Sequence, residues 1–179
     1  MTEPLDRARL AEAFEALGAD LAARDVFVEI AVYGGSALLM QFDWQRATDD
    51  VDAVVREGFD EATLAPSVAA VGRRLGLPAD WLNDAVGMFT PLDEPDTLFD
   101  LAGSYPTTGT PGLRVLLATP RYLLVLGSTD RGGKDLDDAR RLALHVGISR
   151  VDELRELYRV TYDEPPAAAI ERRLAAVLA

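Results

Sequence analysis

The stretch that decides the fold begins with Gly34-Gly35-Ser36-Ala37-Leu38 and ends with Thr48-Asp49-Asp50-Val51-Asp52-Ala53-Val54-Val55. The second part has the composition of a β-strand, and side chains two residues apart project from the same face of a strand. Asp50 and Asp52 are therefore expected side by side. Neighbouring carboxylates repel each other unless a cation lies between them, and Mg²⁺ prefers such oxygen ligands. Backbone N–H groups of the glycine-serine turn would face a phosphate beside that cation. The pattern predicts a nucleotide–metal site.

The composition indicates an ordinary globular domain. The chain has 179 residues, of which 49% are apolar and 27% are charged, and a chain of this length is expected to form one domain. It contains no cysteine, which excludes disulfides and thiolate zinc sites. No apolar run approaches the roughly 20 residues that a membrane-spanning helix needs. We therefore expect no membrane association and a cytoplasmic location.

The charge of the chain argues against broad nucleic-acid binding. The formal net charge is -12, whereas proteins that bind nucleic acids generally present a basic face to the phosphates. An RNA acceptor would therefore need a local patch of arginine side chains, and its affinity would fall steeply with salt.

Apolar spacing and turn residues predict a mixed α/β chain. We expect strands near residues 26–33, 50–55, 97–101 and 113–117, and helices near 4–24, 36–42, 61–75, 136–146, 150–162 and 167–178. Another helix should start at Thr119-Pro120, a further short one near Pro78 should include Trp81 and Leu82, and residues 103–112 should form a loop. The predicted class is α+β, a single domain over residues 1–179 with an α/β core over about 1–118 and a helical portion over about 119–179.

Three motifs together resemble the nucleotidyltransferase superfamily. The turn Gly35-Ser36 followed by Asp50-Val51-Asp52 is similar to its signature. The fuller pattern looks most like that of small bacterial nucleotidyltransferase-like proteins related to abortive-infection toxins. They carry a Gly-Gly-Ser-Ala-Leu turn, an Arg-x-Thr-x-Asp-x-Asp strand and a Lys-Asp-x-x-Asp helix start. The second and third motifs stand here as Arg46-Ala47-Thr48-Asp49-Asp50-Val51-Asp52 and Lys134-Asp135-Leu136-Asp137-Asp138. The tripeptide Trp81-Leu82-Asn83 also resembles a segment found in such proteins.

The resemblance implies a small mixed sheet flanked by helices, with a nucleoside triphosphate in its cleft. Asp50 and Asp52 would hold one or two Mg²⁺ ions. Ser36 and the amides of Gly34 and Gly35 would bind the β- and γ-phosphates. Lys134 or a nearby arginine would neutralise the leaving pyrophosphate, with Asp135 or Asp138 orienting that cation.

The chain also departs from the family pattern at two points. Many members carry a third acidic metal ligand on a later strand, for which Asp100 is the best candidate. Related proteins often carry a lysine on the helix after the last core strand. The corresponding helix here has none, so Arg121 or Arg131 would have to replace it.

Simpler structural roles exist for each motif. Asp50 and Asp52 would also suit a solvent-facing edge strand, Ser36 a helix N-cap, and Lys134-Asp135-Leu136-Asp137-Asp138 a favourable first helical turn. Two function classes therefore stay open. One is a Mg²⁺-dependent nucleotidyltransferase, a candidate toxin of a toxin–antitoxin pair, whose acceptor hydroxyl belongs to tRNA, a protein or a small molecule. The other is a non-catalytic nucleotide- or partner-binding protein on the same fold.

Overall fold

The computed structural model describes residues 4–45, 47–58, 61–88, 90–91, 93–129 and 133–179, with the backbone but not the side chains of 61–63, 86, 88 and 133–135. In that part of the chain, seven α-helices accompany one sheet of five strands, which confirms the predicted α+β class. The strands are β1 Val28–Val32, β2 Val51–Glu57, β3 Leu82–Asn83, β4 Phe99–Tyr105 and β5 Leu113–Ala118. The helices are α1 Arg7–Ala23, α2 Gly34–Gln41, α3 Glu61–Leu75, α4 Pro120–Thr129, α5 Gly133–His145, α6 Val151–Tyr162 and α7 Ala168–Val177.

The sheet is mixed, in the order β3-β2-β1-β5-β4. Central strand β1 runs antiparallel to β2 and parallel to β5, and β2 runs parallel to the two-residue strand β3. Strand β1 is rich in β-branched residues, and Val28, Ile30, Ala31 and Val32 are all buried, as expected of a strand in the middle of a sheet. Because β1 leads directly into α2, the glycine turn lies beside the start of β2.

The chain divides into two compact units. The first comprises Met1–Met88 and Phe99–Leu117, and the second comprises Phe89–Leu98 and Ala118–Ala179. In the first unit, α1 packs on α3 and β4, with the Phe14 ring centroid 6.5 Å from that of Trp81 and 5.7 Å from that of Tyr105. The second unit contains α4 to α7, whose core includes Leu124, Leu142, Leu154 and Leu174.

Two local predictions are wrong. Trp81 and Leu82, expected in a short helix, instead lead into and begin β3, because Val51 N–H donates to Trp81 O at 2.7 Å and Asp52 pairs with Asn83. The segment from Gly103 to Tyr105, expected in a loop, continues β4, and Gly112 N–H donates to Tyr105 O at 2.9 Å. In both places tertiary pairing decides the structure against a local turn or helix signal.

None of the described helices is long and apolar enough to cross a lipid bilayer.

Candidate functional site

The glycine turn brings the start of α2 against Asp52. Tyr33, the N-cap of α2, donates its N–H to Asp52 O at 2.9 Å and so joins the turn to β2. Gly34 has a φ of +55°, in the left-handed region that glycine adopts most readily. A Cβ at this position would lie 3.0 Å from Asp52 Oδ2. The carboxylate of Asp52 therefore lies next to the first residue of α2, where the positive end of the helix dipole favours negative charge.

Asp50 and Asp52 lie on the same side of the sheet. Between them Val51 is fully buried, whereas both acids are half-buried and face the other way. Asn83 gives an independent marker of that side, because it stands beside Asp52 in the β2–β3 register and donates its Nδ2–H to Asp50 Oδ2 at 3.0 Å. The structure thus brings together the two acids and an amide that the sequence motif did not single out as a site residue.

Thr48 explains the shape of the segment that leads into the acids. Its hydroxyl donates to Asp50 O at 3.1 Å, and its backbone exchanges two hydrogen bonds with Leu5, at 2.7 and 2.9 Å. A Cβ on Gly35 would lie 3.0 Å from Thr48 Oγ1. Gly35 is therefore favoured by its close approach to Thr48, which would have to shift to admit a Cβ, and Gly34 is favoured by its backbone conformation and by the nearby Asp52. Each glycine of the turn has its own steric reason.

Ser36 does not occupy the position that the sequence suggested. It is the third residue of α2 rather than its N-cap, which is Tyr33. Its hydroxyl donates to Tyr33 O at 3.0 Å, and the residue is 1% exposed. In this arrangement the Ser36 hydroxyl stabilises the turn from inside. Phosphate binding by this turn would then rely on the backbone N–H groups at the start of α2, which have no acceptor within a helix.

The other predicted site residues lie elsewhere in the fold. Asp100 is exposed on β4, which β1 and β5 separate from β2. Across the described residues, no three acidic or histidine side chains come together as a metal-binding group. The structure therefore does not bring Asp100 to the acid pair.

The residues of the Lys-Asp-x-x-Asp motif belong to the second compact unit. Lys134 and Asp135 are in the first turn of α5, but their side chains are outside the described residues, as is Arg131. Asp138 pairs with Arg141 at 3.9 Å, and its side chain is 16% exposed. Arg121 lies on α4 and lines an open surface groove with Arg150 and Glu153. Their roles in a nucleotide site stay predictions.

Arg56 is a second residue that the motif did not indicate. It is four positions after Asp52 on β2, at the point between Val55 and Glu57 where the register with β1 shifts. Its guanidinium carbon lies 4.5 Å from the centroid of the Phe99 ring, which meets the Tyr33 ring edge-on at 5.9 Å. A cation over an aromatic face is held in place by the ring quadrupole. No local pattern in the sequence indicates this contact, because the irregularity in β2 interrupts the alternation of the strand.

The donor set fits a hard divalent cation. Asp50 and Asp52 supply two carboxylates on one side, and Asn83 fixes one oxygen of Asp50. Oxygen ligands of this kind suit Mg²⁺, which commonly uses one or two carboxylates and completes its octahedron with water and substrate phosphate oxygens.

Comparison with models of protein families, with curated proteins and with solved structures gives no match.

Proposed function

We propose that this protein is a Mg²⁺-dependent nucleotidyltransferase that moves a nucleotidyl group from a nucleoside triphosphate to an acceptor hydroxyl. One observation carries the proposal. The Asp52 carboxylate lies against the glycine start of α2, with Asp50 on the same side of β2. An anion-binding helix start beside two carboxylates is the arrangement that a metal-bound polyphosphate requires.

Each group of residues has a distinct task in this proposal. The N–H groups of Gly34, Gly35 and Ser36 bind the β- and γ-phosphates, and Asp50 and Asp52 hold one or two Mg²⁺ ions. When bound, Mg²⁺ supplies charge neutralisation and lowers the pKa of the acceptor hydroxyl. The acceptor oxygen bonds to the α-phosphorus while the bond from that phosphorus to its bridging oxygen breaks. Pyrophosphate leaves, and the hydroxyl proton passes to solvent.

Cationic residues would neutralise the leaving pyrophosphate. Arg56, on the same strand as Asp52, is the described candidate, and Lys134, oriented by Asp138, is the candidate that the family resemblance supplies. Guanidinium groups bind phosphate oxygens in a bidentate manner and keep their charge at any physiological pH. This contribution would act on charge that develops in the transition state.

A second candidate function has its own support. Asn83 stands in register with Asp52, and Asp100 lies on a distant strand, so the described site has two carboxylates rather than three. The Ser36 hydroxyl is also engaged inside α2. Both features favour a non-catalytic protein that binds nucleotide or a partner on the same fold.

The proposed setting is the cytoplasm, with the protein as the toxin of a toxin–antitoxin pair and tRNA as one candidate acceptor. The net charge of -12 repels polyanions at long range. An RNA acceptor would therefore have to contact a local patch of arginine side chains. Transfer through such a patch should be strongly inhibited by salt, whereas transfer to a neutral small molecule should not be.

The test is incubation with each α-³²P-labelled nucleoside triphosphate, Mg²⁺, total RNA and cell extract. Label transfer that is lost in Asp50→Asn and Asp52→Asn but kept in Asp49→Asn supports the enzyme. Asp49 is the matched control because it is exposed and lies between Thr48 and Asp50 in the same segment. Nucleotide-induced thermal stabilisation without transfer supports the binding protein. If neither occurs, the nucleotidyltransferase and the nucleotide-binding protein are both excluded.

A further inference from the structure

Asn83 occupies the place next to both acids where a third carboxylate would complete the site. It pairs with Asp52 in the register of β2 and β3, and its Nδ2–H reaches Asp50 Oδ2 at 3.0 Å. Its Oδ1 accepts the N–H of Ala85 at 3.0 Å. Both ends of the amide are engaged, so the side chain has a fixed orientation. Asn83 is therefore held as a donor toward Asp50, with its oxygen turned to the backbone.

The fold positions this amide through a rigid support. Trp81, two residues earlier, is fully buried and donates its Nε1–H to Val68 O at 2.9 Å. Its carbonyl accepts the N–H of Val51 at 2.7 Å, which joins β3 to β2. The two-residue strand thus begins from an anchored tryptophan. The backbone of Asn83 cannot move away from β2 without breaking this pairing.

We propose that Asn83 is a positioning residue that fixes Asp50 for the cation and limits the site to two negative charges. This inference rests on the proposed metal site and deepens it. An amide donor holds one carboxylate oxygen and leaves the other for the cation. A carboxylate at residue 83 would instead repel Asp50 and Asp52, and binding a divalent cation would relieve that repulsion. The amide thus makes the apo site stable at the cost of cation affinity.

Two substitutions separate these effects. Asn83→Ala removes the donor and should weaken Mn²⁺ binding about 10-fold, because partners that orient metal ligands typically contribute 10- to 100-fold to affinity. Asn83→Asp keeps the size of the side chain and adds a third carboxylate. It should tighten Mn²⁺ binding about 10-fold or more, since ligand charge is a main determinant of cation affinity.

The experiment is Mn²⁺ titration of the full chain, followed by electron paramagnetic resonance of free Mn²⁺ and by thermal unfolding with and without Mn²⁺. Asn83→Asp should melt below wild type without the metal, and Mn²⁺ should raise its melting temperature more than that of wild type. A matched control is Ala79→Asp, which adds the same charge in the exposed turn before β3. It should leave Mn²⁺ affinity within about twofold of wild type, because exposed charges outside the site are screened by solvent and salt.

The outcomes distinguish the two proposals. If wild type binds Mn²⁺, Asp52→Asn abolishes binding and both Asn83 variants match wild type, then the positioning role is excluded and the metal site stands. If wild type and Asp52→Asn bind equally weakly, the metal site itself is excluded. A weaker affinity in Asn83→Asp than in wild type would also overturn the inference.

Discussion

Gly35 lies so close to Thr48 that a methyl group on residue 35 would be 3.0 Å from Thr48 Oγ1 and 3.6 Å from Thr48 Cβ. This proximity links the turn to the segment before the acids, because the same threonine hydroxyl donates to Asp50 O at 3.1 Å. The glycine and the threonine are thirteen positions apart in sequence, and their contact gives a physical reason for both. Crowding at residue 35 is expected to displace the backbone that carries Asp50.

Gly35→Ala should change binding more than stability. Alanine favours the helix by up to about 1 kcal/mol over glycine, which offsets part of the cost of the close contact. We expect the free energy of unfolding to change by less than about 1 kcal/mol, while Mn²⁺ affinity falls because Thr48 and Asp50 move. Urea denaturation and Mn²⁺ titration measure the two quantities. Adding Thr48→Ala should produce a coupling energy of about 0.5 kcal/mol or more, so strict additivity would contradict this reading.

Gly34→Ala should destabilise the chain and disturb the site. Its left-handed φ of +55° costs a non-glycine residue about 1–2 kcal/mol, and the new Cβ would crowd Asp52 Oδ2. Gly76→Ala is the matched control, because Gly76 has a φ of +66° and open space where its Cβ would be. Both variants should lose stability in urea denaturation. A loss of Mn²⁺ binding is expected only for Gly34→Ala, and equal losses in both variants would argue against the contact with Asp52.

Trp81→Phe should destabilise the first unit by about 1–3 kcal/mol, because Val68 O would lose its buried donor. The substitution also shortens the side chain that anchors β3, so Asn83 should hold Asp50 less firmly. The measurements are urea denaturation and Mn²⁺ titration. Unchanged stability would show that water or another group replaces the indole N–H at no cost.

Arg56→Gln should lower the affinity for a non-hydrolysable nucleoside triphosphate in the presence of Mg²⁺, by about tenfold if one charge-assisted phosphate contact is lost. Stability should fall by about 1 kcal/mol or less, the value of a cation–π contact at an accessible site. Thermal shift against nucleotide concentration gives both quantities. Arg114→Gln is the control, since Arg114 also stacks on a ring, that of Phe27 at 5.2 Å. Equal losses of affinity in the two variants would show that Arg56 does not contact the bound nucleotide.

The second unit should lose stability at high pH through Tyr162. Burial, opposed by a hydrogen bond with Thr129, raises the pKa of Tyr162 to about 12 from its ordinary value of 10.0. Between these values the unfolded chain loses the phenolic proton while the folded chain keeps it, so stability falls as pH rises from about 10 to about 12.

After allowance for partial exposure, the effect should be on the order of 1–2 kcal/mol. Tyr162→Phe should flatten this part of the curve of unfolding free energy against pH. A slope that is the same in wild type and Tyr162→Phe would contradict the assignment.

The sequence predicts the fold class and most elements because their signals are local. Helix α3 runs from Glu61 to Leu75 as expected, and α4 starts at Pro120, with Thr119 Oγ1 accepting the Tyr122 N–H at 3.4 Å. The turn at Gly34 and the pair formed by Asp50 and Asp52 were also predictable from the local sequence. Strand β3 was not, because two residues carry no periodicity and their pairing with β2 is set by the tertiary fold.

The site was only partly predictable from the sequence, because tertiary pairing also decides which residues meet there. Alternation along one strand places Asp50 and Asp52 together, but no local rule says which neighbouring strand faces them. Asp100 was expected to join the acids, yet the strand order separates β4 from β2. Asn83, which belongs to the Trp81-Leu82-Asn83 motif, was not predicted as a site residue, yet it contacts Asp50 from the neighbouring strand β3. The direction of the Ser36 hydroxyl likewise depends on the start of α2, which lies two residues earlier than predicted.

The pairing of Leu5 with Thr48 has a practical consequence for handling the protein. Leu5 is 1% exposed, and its two backbone hydrogen bonds hold Thr48, which precedes Asp50 by two positions. An affinity tag or fusion partner joined just ahead of Leu5 would disturb its backbone pairing with Thr48. Purification handles on this side are therefore better separated from Leu5 by a flexible linker.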